Sequence, residues 1–264
     1  MSVTTDERRF GGIGRLFGEA AAEKLRDSHI VVIGLGGVGS WAVEGLVRSG
    51  VGRLTLIDGD TVALSNTNRQ LPAIEGGYGR AKADVLCERA KAIHPDCQIE
   101  VKKIFVTPEN VSDVLPKDAH WIVDCIDDLK GKAALHAEAQ RLGIRTVCAG
   151  GAGARIDPSR IEVSDLARVK GDPLLGKLRT ILRKDYGFPA GSTDGKSKLF
   201  NIPAVYSNEL LRQPGADSLL AIGAHPDDRI GFGAFVAVTG TAGLRLASIV
   251  INDIAASVSE GDLK

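Results

Sequence analysis

Residues 29–60 read HIVVIGLGGVGS, then WAVEGLVRSGVG, then RLTLIDGD. Residues 30–33 form a short apolar, β-branched run closed by glycine. Such a run predicts a strand buried on both faces. Gly34, Gly36, Gly37 and Gly39 follow at once. Residues 40–49 have helical spacing, with Trp41, Val43, Leu46 and Val47 apolar, and Gly50 and Gly52 punctuate the end. Residues 53–57 read as a second strand, ending at Asp58. The stretch is a strand–helix–strand unit with a glycine-rich first turn. A residue without Cβ lets backbone N–H groups approach a phosphate, and the following helix N-terminus favours negative charge. A carboxylate ending the second strand can accept ribose hydroxyls. Nucleotide binding is the expectation; the turn alone does not separate NAD, FAD and ATP.

Working outward, the segment after Asp58 is polar and holds Asp60, Asn66, Asn68, Arg69 and Gln70 close together. An arginine fork among asparagines suits phosphate oxygens better than a nicotinamide. Lys82 opens a helix expected over residues 81–93. A cation there opposes the helix dipole, which a bound phosphate would explain. Residues 98–105 alternate as a strand, and Thr107-Pro108 starts a short helix. Residues 121–126 (WIVDCI) read as a buried strand ending among Asp124, Asp127 and Asp128. Acids at a strand's carboxyl end face the ligand edge of an open α/β sheet, where one can hold Mg²⁺. A helix over residues 130–142 and a strand over 144–149 continue the alternation, which gives a mostly parallel sheet with helices on both faces.

The flanks are less regular. Residues 1–28 start polar, as a solvated arm, with a helix over 20–25 and a cluster of Arg8, Arg9 and Arg15. Residues 154–200 carry Arg155, Arg160, Arg168, Lys170, Lys177, Arg179, Arg183, Lys184, Lys196 and Lys198 among fewer acids. Residues 174–186 read as an amphipathic helix with a basic face. That face is either solvated or a landing strip for RNA phosphates through Lys177, Arg179, Arg183 and Lys184. Residues 230–258 are apolar and approach membrane-span length, but Arg245 and Asn252-Asp253 interrupt them. Gly240 and Gly243 divide them into a strand and a helix, read as core, with a membrane-facing surface as the lesser alternative.

The 264 residues carry a formal net charge of +0 and 5% aromatics. No global field favours nucleic acid or membrane, and a base-stacking platform is not expected. The cysteines, Cys87, Cys97, Cys125 and Cys148, form no C-x-x-C pair. Their scatter, with no signal peptide, points to a reducing cytoplasm.

Five ordered motifs then carry a resemblance: GLGGVG at residues 34–39, IDGD at 57–60, SNTNRQ at 65–70, GRAK at 79–82 and DCID at 124–127. With them the chain resembles the adenylating family that includes ThiF, MoeB and the ubiquitin-activating enzymes. The resemblance implies a single ThiF-like adenylation domain. Its nucleotide-binding part covers about 9–153, a basic insertion about 154–228 and a C-terminal strand–helix about 229–258. It implies ATP, Mg²⁺ and attack of a carboxylate on the α-phosphate. Gly34, Gly36, Gly37 and Gly39 would shape the phosphate turn, Asp58 would serve the ribose, and Asp60 would also bind the nucleotide. Asn66, Arg69, Gln70 and Lys82 would hold phosphates, and Asp127 would serve Mg²⁺ or the nucleotide. Arg15 would reach in from a partner subunit.

Departures narrow the resemblance. The zinc-binding C-x-x-C pairs of sulfur-carrier activators are absent, and no cysteine follows Cys148, so the late loop at residues 221–231 has none. The basic segment after RIDPSR (155–160) and the opening RRFGG look like the branch of tRNA threonylcarbamoyladenosine dehydratases. That branch implies tRNA carrying threonylcarbamoyladenosine as partner and a homodimer. It also implies a monovalent cation (Na⁺ or K⁺) and a link to a cysteine-desulfurase system. Adenylation of a small sulfur-carrier protein's C-terminus is the alternative. An NAD-dependent oxidoreductase and a non-catalytic binder fit less well, because residues 66–82 would be unexplained.

Overall fold

A computed structural model describes residues 5–191, 198–211 and 233–259. Lys196 and the loop at residues 221–231 lie outside the described residues. Seven strands form one sheet in the order β3-β2-β1-β4-β5-β7-β6. They are β1 (His29–Ile33), β2 (Arg53–Ile57), β3 (Gln98–Lys102), β4 (Trp121–Asp124), β5 (Arg145–Ala149), β6 (Ile161–Asp165) and β7 (Pro203–Ser207). The first five and β7 run parallel; only the edge strand β6 is antiparallel, to β7.

The alternation within β1 shows why a continuous apolar run sits at the centre. Successive side chains point to opposite faces. Ile30 and Val32 enter one core, and Val31 and Ile33 the other. Helices cover both faces: α2 (Glu19–Asp27), α3 (Gly39–Arg48), α4 (Lys82–Ile93) and α8 (Val236–Ser259) enclose the first core. The second core holds α5 (Val111–Val114) and α6 (Leu129–Leu142). A third cluster lies beneath α7 (Pro173–Asp185), which Asp172 starts by accepting the Leu175 N–H.

Where it is described, the 154–228 stretch contributes β6 and β7 to the main sheet. Two expectations change. The polar N-terminal arm is a helix, α1 (Thr5–Phe17), held by Phe10, whose ring lies 4.6 Å from that of His94. The strand expected before Gly240 is instead the first turn of α8, which runs unbroken past both glycines. Those glycines serve packing. A Cβ on Gly243 would lie 2.3 Å from the Val38 carbonyl oxygen, and Trp41 packs on Gly240. α8 is long and apolar enough to cross a membrane, with a mean hydropathy of 1.2, but its Ala242, Leu246 and Val250 are buried in the first core, and the helix packs against α3.

Candidate active site

The chain moves outward from β1 through β2 to β3, then returns to β4 on the other side of β1. Such a reversal opens a crevice beyond the strands' carboxyl ends, the usual ligand position in open α/β sheets. A cavity of about 820 Å³ lies there. It is lined by the ends of β1, β2, β4 and β5, by the segment 66–70, and by Ala234 and Thr239 beside and within α8.

Most of the sequence-predicted residues meet in this cavity. Gly34, Gly36, Gly37, Asp58, Asp60, Asn66, Arg69, Gln70, Lys82 and Asp127 all line it. Gly39 and Arg15 do not. Gly39 shapes the turn from behind, since a Cβ there would lie 1.8 Å from the Gly34 carbonyl oxygen. Gly34 has φ +83° and packs against the Cys125 backbone. Arg15 sits exposed on α1.

Individual roles can be read from the contacts. Asp58 is nearly buried and pins the glycine turn: Oδ2 accepts the Leu35 N–H at 2.6 Å and Oδ1 the Asp60 N–H at 2.8 Å. A carboxylate has about four lone-pair sites, so capacity for a ribose hydroxyl remains. Lys82 is buried, and its Nζ is 2.8 Å from Asp60 Oδ2. The carboxylate of Asp60 partners this lysine at the helix start. Arg69 lays its stem against Gly37 and donates to the Ser65 carbonyl at 2.8 Å and to Asn68 Oδ1 at 2.9 Å. The Asn66 Oδ1 accepts the Ala63 N–H and holds the preceding turn. Gln70 is buried beside Gly36, and its Oε1 has no hydrogen-bond partner among the described residues. A buried unsatisfied acceptor is costly, and a donor on a ligand would satisfy it. Asp127 is exposed at the cavity wall, while Asp128 caps α6 through the Gly131 N–H at 2.7 Å.

Four features escaped sequence reading. Trp41 Nε1 donates to the Arg69 carbonyl at 3.2 Å and so orients the arginine's backbone. Asn68 Nδ2 donates to the Ala234 carbonyl at 2.6 Å, which ties the 66–70 segment to the start of α8. Asp124 does not face the cavity; it is fully buried against Lys132 and His136. Arg155, read as part of a basic surface, is buried 3.4 Å from Asp172. The i, i+4 spacing of Lys132 and His136 behind an acid-ended strand was the available signal for the third.

On α7, the predicted RNA residues divide. Arg179 NH1 donates to the Val169 carbonyl at 2.6 Å, and burial, then Arg183, hold its guanidinium below its ordinary pKa. Arg183 Nε donates to the Pro189 carbonyl at 3.0 Å. Lys177 and Lys184 are exposed.

None of the four cysteines is poised as a nucleophile. Burial pushes the Cys125 thiol up to about 12 and Cys97 up to about 11, and raises Cys87 and Cys148 as well. A thiol is reactive only as thiolate.

A model of the ThiF family matches residues 12–170. The chain belongs to the ThiF family. Among the most similar relatives, the tRNA threonylcarbamoyladenosine dehydratase of Haemophilus influenzae is 45% identical over 94% of both chains. That of Escherichia coli is 42% identical over 98% of this chain and 99% of its own. The crystal structure of the E. coli enzyme, TcdA, in complex with ATP superposes with a TM-score of 0.86 at 39% identity, covering 98% of this chain and 99% of that one. A more distant structure, that of E. coli MccB at 17% identity and a TM-score of 0.60, shares the fold.

Proposed function

We infer that this chain is an ATP-dependent tRNA threonylcarbamoyladenosine dehydratase. The observation that carries the reading is end-to-end similarity to dehydratases of that name, joined to a cavity where the nucleotide motifs converge. The threonyl carboxylate attacks the α-phosphate of ATP, the bond to the β-phosphate breaks, and pyrophosphate leaves. A nucleophile within the modified nucleoside then attacks the acyl carbon. AMP departs with the carboxylate oxygen, and the ring closes with net loss of water.

The chain's residues supply position and charge. The glycine turn and the N-terminus of α3 face the phosphates, and Asp58 accepts from the ribose. Arg69 and Lys82 neutralise the charge that grows on pyrophosphate, where fixed charge counts most. For Lys82 this requires that the triphosphate displace its contact with Asp60. Asp127 would hold Mg²⁺. The fit is sound: magnesium binds through one or two carboxylates plus substrate phosphates, and Asp127 presents an exposed carboxylate on the cavity wall, as its neighbour Asp128 does. The bound ion would draw negative charge off the departing phosphates. Arg15 acts, in this reading, across a homodimer. Cys125 lines the cavity, but burial pushes its thiol up to about 12, which favours the dehydratase over thioester-forming carrier activation.

The test is mass spectrometry of tRNA nucleosides after incubation of the protein, ATP and threonylcarbamoylated tRNA. The expected product is the modified nucleoside less one water, dependent on ATP. Arg69→Ala should abolish it while keeping the melting temperature. An unchanged nucleoside, with pyrophosphate exchange triggered instead by a Gly-Gly-ended carrier protein, would replace the reading with carrier adenylation.

A further inference from the structure

Beneath the cavity floor lies a sealed column of ionisable side chains. Asp124 closes β4, and Lys132 and His136 sit one turn apart on α6. Lys132 Nζ is 2.9 Å from Asp124 Oδ2, and His136 Nε2 is 2.8 Å from the same oxygen. An ionised carboxylate has no hydrogen to give, so His136 Nε2 is the donor. Its Nδ1 meets Thr146 Oγ1 on β5 at 3.1 Å. All three ionisable side chains have 0% exposure.

Charges so placed lose their hydration, and a buried pair is retained only when further hydrogen bonds complete it. Besides the bond from His136, two further bonds converge on one residue. Asp124 Oδ1 accepts the Ile126 N–H at 3.0 Å, and Lys132 Nζ donates to the Ile126 carbonyl at 3.0 Å. Both backbone polar groups of Ile126 are therefore held by the buried pair. On one side of Ile126 is Cys125, whose backbone abuts Gly34 so closely that a Cβ on the glycine would lie 2.7 Å away. On the other side is Asp127, on the cavity wall. Burial, the largest single influence, would raise Asp124 and lower Lys132; the charges and hydrogen bonds around each together outweigh it, leaving Asp124 below and Lys132 above its ordinary pKa.

We propose that Lys132 and Asp124 are positioning residues that clamp the 125–127 turn, so that Asp127 is set for the metal–nucleotide before ATP arrives. The proposal rests on the reading of Asp127 given above. Preset geometry removes the cost of ordering the turn on binding. A pair that served the core alone would have no reason to direct both its extra bonds to one turn beside the cavity.

Two measurements test it. The first uses the unaltered protein without nucleotide. Hydrogen exchange of the Ile126 amide should be at least about a hundredfold slower than in an unstructured chain. Exchange at the unstructured rate until ATP is added would overturn the proposal. The second compares ATP affinity in EDTA and in magnesium for the wild type, Asp127→Ala and the neutral double variant Asp124→Asn/Lys132→Met. A neutral replacement of a buried pair is often tolerated by the fold. The double variant should bind ATP in EDTA as the wild type does, yet lose about tenfold of the gain magnesium confers, the size of one hydrogen bond of about 1.4 kcal/mol. If Asp127→Ala loses the gain while the double variant keeps it, the positioning role fails alone. If Asp127→Ala keeps the gain, the reading of Asp127 fails and the clamp's purpose with it. Should the double variant not fold, the exchange measurement decides.

Discussion

Two glycines of the first turn answer to different constraints, and substitution should separate them. Gly39 has its α-carbon hydrogen pressed toward the Gly34 carbonyl, where a methyl would lie at 1.8 Å, inside any van der Waals contact. Gly36 faces the cavity, and a methyl there would lie 3.6 Å from Gln70 Nε2, which is ordinary contact. Gly39→Ala is therefore expected to cost about 3 kcal/mol of stability, the upper range for forcing a methyl into packed structure. Gly36→Ala should melt with the wild type but lose ATP binding, because the methyl occupies phosphate space. Thermal melts with and without ATP distinguish the two. Equal melting temperatures for both variants would mean that the turn relaxes around Gly39.

Helices α3 and α4 are joined by a shared carboxylate. Glu44 on α3 is nearly buried and receives Arg89 of α4 through two nitrogens, at 2.7 and 2.8 Å, and Arg48 at 2.7 Å. Burial would raise its pKa; the hydrogen bonds and charges of Arg89 and Arg48 overcome this and hold it below the usual carboxylate range. A depressed folded pKa means stability that is present above the unfolded value, near 4.3, and lost as pH falls through the folded value. Glu44→Gln should thus cost about 1–2 kcal/mol at neutral pH, as for a hydrogen bond to a charged group. The difference from wild type should shrink as pH falls below the unfolded value and vanish below the folded one. A melting series over pH 3–7 measures this, and a constant difference would show that Glu44 acts by shape alone. The contact between α3 and α8 is of another kind: Gly45 and Gly243 let the backbones close, and Ala247 fills the space beside Gly45.

The molecule has no net charge to attract RNA, so any recognition of tRNA must come from local patches. α7 offers one, but only part of its basic set is free to act. Arg179 and Arg183 hold backbone carbonyls of their own lobe, whereas Lys177 and Lys184 stand in solvent. Lys177→Glu/Lys184→Glu is expected to weaken tRNA binding and to flatten the dependence of log affinity on log salt by about two, near one for each phosphate no longer neutralised. Filter binding over a salt series reads both. Unchanged affinity and slope would make α7 a solvated face. Truncating Arg179 or Arg183 should instead lower stability, since each leaves buried carbonyls without a donor.

The nucleotide turn, the strands from β1 to β5 and ten of the cavity residues were legible in the chain because their signals are local. Glycine spacing, β-branched runs and an acid at a strand end act within a few residues, so the pattern survives without knowledge of the fold. The five motifs lie at separate places in the chain, yet four of them end a strand or open a helix, and SNTNRQ lies in the turn between β2 and α4. Parallel topology then brings all strand ends to one edge. What contiguity cannot convey is partnership across the sheet. Folding decided that Asp124 faces Lys132 and His136 rather than the ligand, and that Arg155 is buried on Asp172 instead of exposed. It likewise decided that Gly240 and Gly243 lie within one helix, against α3, where two glycines otherwise suggest a break. Glycine's cost to a helix is about 1 kcal/mol, and close packing against a neighbour offsets it only once that neighbour is in place.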